Sequence, residues 1–145
     1  MINQLIIKGF KSFVDKSINF NQLNVLTGLN SSGKSTVIQA LQILNKYSRH
    51  FENPLIEGHG DYKELQNPFS SLPFSINAKY GEHGIICYSP QKENNIHTEE
   101  FPDLIVISAD RYGPLVSIPL LSDCELGSKG ENVIKCIQVH ENDIL

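Results

Sequence analysis

Residues 28–36 read Gly-Leu-Asn-Ser-Ser-Gly-Lys-Ser-Thr, the pattern G-x-x-x-x-G-K-[ST] of a loop that wraps a phosphate group. Such a loop works only where a strand runs into it and a helix leaves it, so these nine residues demand a strand–loop–helix unit and an α/β chain. The spacing has a physical cause. Gly28 and Gly33 supply backbone conformations, and an approach to the anion, that a Cβ would block. Successive N–H groups then form an anion nest, and a helix starting near Gly33 adds the positive end of its dipole. Lys34 is placed to reach the β- and γ-phosphates, and the Ser35 hydroxyl to ligate Mg²⁺. The candidate phosphate-binding set is Gly28, Asn30, Ser31, Ser32, Gly33, Lys34, Ser35 and Thr36, with Ser35 as candidate metal ligand. No catalytic base is assigned.

A chance match of four fixed positions is the competing reading, and context answers it. Leu23, Val25 and Leu26 form an apolar run just before Thr27 and Gly28. After Ser35, the residues Val37, Ile38, Leu41, Leu44 and Tyr47 fall at helical spacing. The segment 23–27 is thus expected to be the strand feeding the loop, and Lys34 to about Tyr47 a helix buried against a sheet, since it carries almost no charge before Lys46.

The other elements follow from alternation and punctuation. Ile2 to Lys8 reads as a strand, and Lys11 to Phe20 contains a second, alternating segment. Residues 48–73 are loop-rich, punctuated by Pro54, Gly58, Gly60, Pro68 and Pro73, with a helical turn offered only by Asp61 to Leu65. Phe74 to Tyr80 and Ile85 to Tyr88 flank a Gly-Glu-His-Gly turn and read as a hairpin, followed by a polar loop or hairpin over 90–102. Leu104 to Ile107 reads as a buried strand. Ser128 and Glu131 have capping-box spacing ahead of a helix from about Lys129 to His140.

A chain of 145 residues, 40% hydrophobic and 19% charged, is one globular domain or part of one. No apolar run approaches the roughly 20 residues that a membrane span needs, and the N-terminus lacks a signal-peptide pattern; a cytoplasmic protein is expected. The net charge of −4 argues against a dominant nucleic-acid surface. Lys8, Lys11 and Lys16 are read as solvated strand-edge lysines rather than a patch. Cys87, Cys124 and Cys136 are odd in number and far apart, so buried or half-buried thiols are expected. The five histidines show no metal-ligand spacing, and His59, in a Gly-His-Gly run, is read as a turn.

The first 46 residues resemble the N-terminal end of ABC-type ATPases of the SMC, RecF and OLD kind, including bacterial OLD-like ATPases of the AAA family. The resemblance lies in Ile7-Lys8-Gly9-Phe10-Lys11-Ser12-Phe13, in Leu23 through Gly28, in the loop, and in Val37 through Leu41. Ser108 through Arg111 with Gly113-Pro114, and Gly127 through Val133, also look like motifs of that group. The resemblance implies ATP and Mg²⁺ as ligands, with Lys34 on the β- and γ-phosphates, Ser35 on magnesium and Thr36 near the α-phosphate. It implies that the Lys11–Ser12 turn approaches the nucleotide, although a structural β-turn explains those residues equally well. It implies a partner, either a second head in a homodimer or a completing protein chain, and by analogy DNA or a nuclease in DNA maintenance or phage defence.

A complete ATPase of this kind also needs a signature loop and an acidic strand end. Leu104 to Asp110 mimics the latter weakly, with Arg111 where a Glu belongs, and is read as ending in a structural ion pair. Leu126 to Glu131 resembles a signature loop but is better explained by helix capping. The expected fold is therefore α/β, a P-loop NTPase core with N-terminal strands and an inserted hairpin. Residues 1–145 are expected to be the N-terminal lobe of an incomplete ABC-ATPase head, its C-terminal lobe absent. Hydrolysis is then expected only on completion. The alternative is a non-catalytic interaction or regulatory module completed by a partner chain. A small kinase or GTPase is disfavoured, because Asn45-Lys46 is followed by Tyr47-Ser48 rather than by the Asp of a base-recognition motif.

Overall fold

The computed structural model describes residues 1–50, 53–56, 58–91 and 95–107. The chain divides into two units, Met1–Leu104 and Ile105–Leu145, and the fold and site below belong to the first. Asp110, Arg111, the Ser128 capping box, the helix expected after it, Cys124 and Cys136 lie outside the described residues.

Strands β1 (Ile2–Phe10), β2 (Phe13–Asn19), β3 (Ser75–Tyr80), β4 (Gly84–Tyr88) and β5 (Ile96–His97) form one sheet in the order β2-β1-β3-β4-β5, every neighbouring pair antiparallel. The N-terminal strands and the hairpin thus form as the alternation predicts. The polar stretch after the hairpin returns as β5 on the outer edge of β4. The sheet is antiparallel throughout the described residues, whereas a P-loop core brings the expectation of parallel strands.

One face of this sheet is the core. Leu5, Ala78 and Ile86 stand opposite one another in one row, and Ile7, Ile76 and Tyr88 in another, all buried. Helix α1 (Lys34–Ser48) covers them. Its buried residues Thr36, Val37, Ala40, Ile43 and Leu44 recur three and four apart, as one helix face requires. Phe10 and Phe74 close one end, ring centroids 5.1 Å apart and tilted, a pairing worth about 0.5–1.5 kcal/mol beyond the area buried. The short helix α2 (Tyr62–Leu65) starts at Asp61, whose carboxylate accepts from the N–H groups of Lys63 and Glu64 while the Glu64 carboxylate accepts from Asp61 N–H. This is the helical turn expected there.

Two expected strands do not form. Residues 23–27 lie outside the sheet, with Leu23 82% and Val25 75% exposed. Their apolar sequence favours a strand, but a strand needs a ladder partner and none of the described strands pairs with this segment. Reciprocal bonds between Asn21 and Asn24 turn the chain at its entrance instead. Leu104–Ile107 is likewise unpaired, and Ile105 and Ile107 are exposed rather than buried.

Burial also sets the chemistry of three titratable groups. Cys87 is half-buried, as expected, and burial pushes its thiol up. Burial pushes the Tyr80 phenol up as well, and its hydroxyl donates to the Glu99 carbonyl. Tyr88 is raised further above the ordinary 10.0, first by burial and then by its hydrogen bond to the Tyr62 hydroxyl at 3.1 Å. A phenol is neutral when protonated, so the folded chain keeps this proton to higher pH than the unfolded chain. Its contribution to stability is complete below pH 10.0 and is lost as the pH rises towards the folded value. Tyr88→Phe is expected to flatten the fall in denaturant midpoint between about pH 9 and about pH 11, with a residual slope from Tyr80. Identical slopes in the two proteins would contradict this assignment.

Candidate functional site

The phosphate-loop residues run from Gly28 into α1. Gly28 has φ +146°, and a Cβ there would sit 2.7 Å from Ser32 Oγ. Ser31 takes a left-handed conformation, and Ser32 N–H donates to the Leu29 carbonyl at 3.2 Å, drawing the loop into a tight turn. Gly33 is the N-cap residue of α1 at φ 94°, and a Cβ would lie 2.5 Å from the Phe13 ring. Both glycines of the motif are therefore required by geometry at the positions where the pattern places them. No side chain caps α1 and no acidic residue stands in its first turn, so its positive end faces the loop uncompensated.

Lys34 Nζ donates to the carbonyl oxygens of Gly28 and Leu29, both at 2.7 Å, and lies 3.4 Å from Ser32 Oγ. The ammonium thereby ties the first residues of the loop to the first turn of the helix. Around it lies a pocket of about 260 Å³. Of the predicted set, Asn30, Ser31, Gly33, Lys34, Ser35 and Thr36 line it. Gly28 and Ser32 do not line it and act instead on the shape of the loop. The Ser35 side chain is exposed at this wall and Thr36 is buried beneath it.

The opposite wall is Lys11 and Ser12, from the turn between β1 and β2. Lys11 is thus not the solvated strand-edge lysine expected from sequence, whereas Lys8 is, exposed and 3.5 Å from Asp15. The Lys11 backbone, left-handed at φ 49°, is pinned on both sides: its N–H donates to the Leu65 carbonyl at 2.8 Å, and its carbonyl accepts from Asn67 Nδ2 at 2.6 Å. Its ammonium donates to Gln39 Oε1 at 2.7 Å, and Gln39 Nε2 lies 2.5 Å from His59 Nδ1. Sequence reasoning missed Gln39; the turn it expected at His59 forms, with His59 N–H on the Ile56 carbonyl at 3.1 Å, but the bond between its imidazole and Gln39 was not foreseen. The available signal was a Gln in register with the buried stripe of α1, since a buried amide must find partners. Two lysines and no carboxylate line the pocket, which suits an anion. Among the described residues no group of three or more His, Cys, Asp or Glu could hold a metal ion.

These features coincide with what comparison finds. A family model described as an AAA ATPase domain matches residues 1–142. The chain belongs to that family. It is 43% identical over 51 residues to an ATP/GTP phosphatase of Helicobacter pylori, a match covering 34% of this chain and 14% of that protein. It is 29% identical over 83 residues to the DNA replication and repair protein RecF of Oenococcus oeni, covering 52% of this chain and 22% of RecF. The matched stretch is thus less than a quarter of either relative's length. The resemblance to the N-terminal part of SMC-, RecF- and OLD-type ATPases is borne out, and nucleotide binding is the property these AAA and RecF-like relationships support in general.

The contact between Gly33 and Phe13 yields a stability test on this AAA ATPase domain. Gly33→Ala combines a left-handed backbone with a collision against the ring and is expected to cost about 1–3 kcal/mol. Gly58→Ala, also left-handed but facing open space, carries the backbone strain alone and is expected to cost about 1–2 kcal/mol. Equal shifts of the thermal midpoint for the two variants would show that the Phe13 contact imposes no cost.

Proposed function

We propose that this AAA ATPase domain binds ATP with Mg²⁺ through residues 28–36, as the N-terminal lobe of an SMC/RecF/OLD-like ATPase. Hydrolysis would then require a signature loop and an acidic strand end supplied from outside the described residues. The observation that carries this reading is the pocket in which two lysines from separate elements, Lys11 and Lys34, face one another across the start of α1 without a carboxylate. Its size supports a phosphate tail rather than an enclosed nucleotide, since sites that bury whole small molecules run to about 300–1,000 Å³. Lys34 would hold the β- and γ-phosphates, with the backbone of Gly28 and of Asn30 through Gly33 around them, and Thr36 near the α-phosphate. Magnesium would neutralise charge on the phosphate oxygens, held by the Ser35 hydroxyl. The chain's own residues orient and neutralise; none of the described residues at the pocket is placed to activate water, so binding should far exceed cleavage.

A second reading is favoured by a separate observation. Leu23, Val25, Leu26 and Leu29 are exposed immediately before and within the loop, an apolar surface of the kind that marks an interface. A module completed by a partner chain, either another copy in a homodimer or a different protein, would cover it. A DNA partner and a role in DNA maintenance enter by analogy with RecF, named for DNA replication and repair; a nuclease partner and phage defence enter only through the resemblance to OLD-like ATPases. The net charge of −4 counts against a broad DNA-backbone surface. A cytoplasmic setting accords with the absence, among the described residues, of a helix long and apolar enough to cross a membrane.

Calorimetric titration of MgATP into the chain and into Lys34→Ala separates the readings. Binding by the wild type that weakens at least about 30-fold in the variant is expected, as for loss of charge-assisted bonds to phosphate. A folded wild-type chain that takes up no MgATP would rule out autonomous binding and leave the partner-completed module standing.

A further inference from the structure

Three side chains far apart in sequence form one hydrogen-bonded line that ends in the pocket. The Lys11 ammonium donates to Gln39 Oε1 at 2.7 Å, and Gln39 Nε2 lies 2.5 Å from His59 Nδ1. Gln39 is buried on α1, three residues beyond Thr36 of the pocket wall. A buried amide has a carbonyl that must accept and an NH₂ that must donate. With the carbonyl engaged by an ammonium, which only donates, the NH₂ end requires an acceptor, and a His59 Nδ1 without a proton is one. The order Lys11 to Gln39 to His59 is therefore fixed by the polarity of its parts. Turning the amide over would set its NH₂ against the Lys11 ammonium, donor against donor.

From this line we infer that Gln39 is a positioning residue for nucleotide phosphate, holding the Lys11 ammonium against the pocket, and that His59 sets the facing of the Gln39 amide. The inference rests on the nucleotide-binding reading above and deepens it. An ammonium has three donors; one is used on Gln39, which leaves two for a phosphate. A free lysine side chain loses much rotamer entropy on binding an anion, and the bond to Gln39 removes part of that loss beforehand. The Lys11 backbone is already held by Leu65 and Asn67, so its side chain is the remaining freedom. Lys34 already spends two of its three donors on the carbonyls of Gly28 and Leu29, so Lys11 brings more free donors to the same anion. The segment from His59 to Asn67 thus grips Lys11 at both ends, through the backbone and through the amide.

The test is a double-mutant cycle read by MgATP affinity in the full chain, with thermal melts to confirm folding. Lys11→Met and Gln39→Leu are each expected to weaken binding about tenfold, and the double variant no more than Lys11→Met alone. Gln39→Glu, which keeps the acceptor for Lys11, is expected to bind within about threefold of wild type. If Gln39→Leu does not fold, His59→Ala on the exposed loop reads the same line, with about a threefold loss that vanishes in the Lys11→Met background. Wild-type affinity in Gln39→Leu or, failing that, in His59→Ala, or losses that add to that of Lys11→Met, would overturn the inference alone while Lys34-dependent binding persists. No MgATP binding by the wild type, or binding indifferent to Lys34→Ala, would overturn the nucleotide reading and the positioning role together.

Discussion

The fold and the site meet at one contact, the Phe13 ring against Gly33. A Cβ on Gly33 would stand 2.5 Å from that ring, so β2 approaches the start of α1 more closely than any side chain permits. The geometry of the candidate pocket follows from this approach. It brings the β1–β2 turn over the helix N-terminus, where Lys11 and Ser12 become a wall of the pocket. The turn cannot drift from that place, because Lys11 is tied by its N–H to Leu65 and by its carbonyl to Asn67, while Asn67 N–H donates to the Gly9 carbonyl. An antiparallel sheet and the 28–36 loop are thus joined through two residues that touch.

The two lysines of the pocket are fixed in different ways, and the difference bears on what each can do. Lys34 sits on backbone carbonyls of its own loop, so its position follows from the loop's conformation. Lys11 sits on a side chain of another element, so its position follows from how α1 and the 58–67 segment pack. In a chain of net charge −4, two such cations beside an uncapped helix start make a local positive field that the overall charge conceals. Net charge counts the surface, and a recessed site is decided by the few groups facing it.

Features carried by local pattern were legible in the sequence. The helix over Lys34–Ser48, β1 and β2, the hairpin of β3 and β4, and the helical turn at Asp61 all follow from periodicity, turn residues and capping chemistry, which act over a few residues. The two failures have one cause. Leu23 to Thr27 and Leu104 to Ile107 are apolar enough for buried strands, but composition states only a preference for burial; the partner that would satisfy the backbone is a property of the whole sheet. The Lys11–Gln39–His59 line was illegible for a related reason. Its members lie 28 and 20 residues apart, and no local rule joins a turn, a helix face and a Gly-His-Gly loop. Gly28 and Gly33 were the easiest positions to read, because the pattern that requires them is contiguous.

That contrast explains how the loop is held at its two ends. Its exit is secured by the helix, by Phe13 on Gly33, and by Lys34 reaching back to Gly28 and Leu29. Its entrance, residues 23–27, has no ladder partner among the described strands and exposes apolar side chains. Apolar side chains on both sides of an extended segment suit an interior strand, with neighbours at both edges and layers on both faces. A strand added there would satisfy backbone groups, cover Leu23 and Val25, and set the direction from which the chain enters Gly28. The Gly28 carbonyl is one of the two that hold Lys34, so such pairing would act on the candidate site without touching it. The entrance segment is thus where pairing with a further strand would be felt at Lys34, through the Gly28 carbonyl.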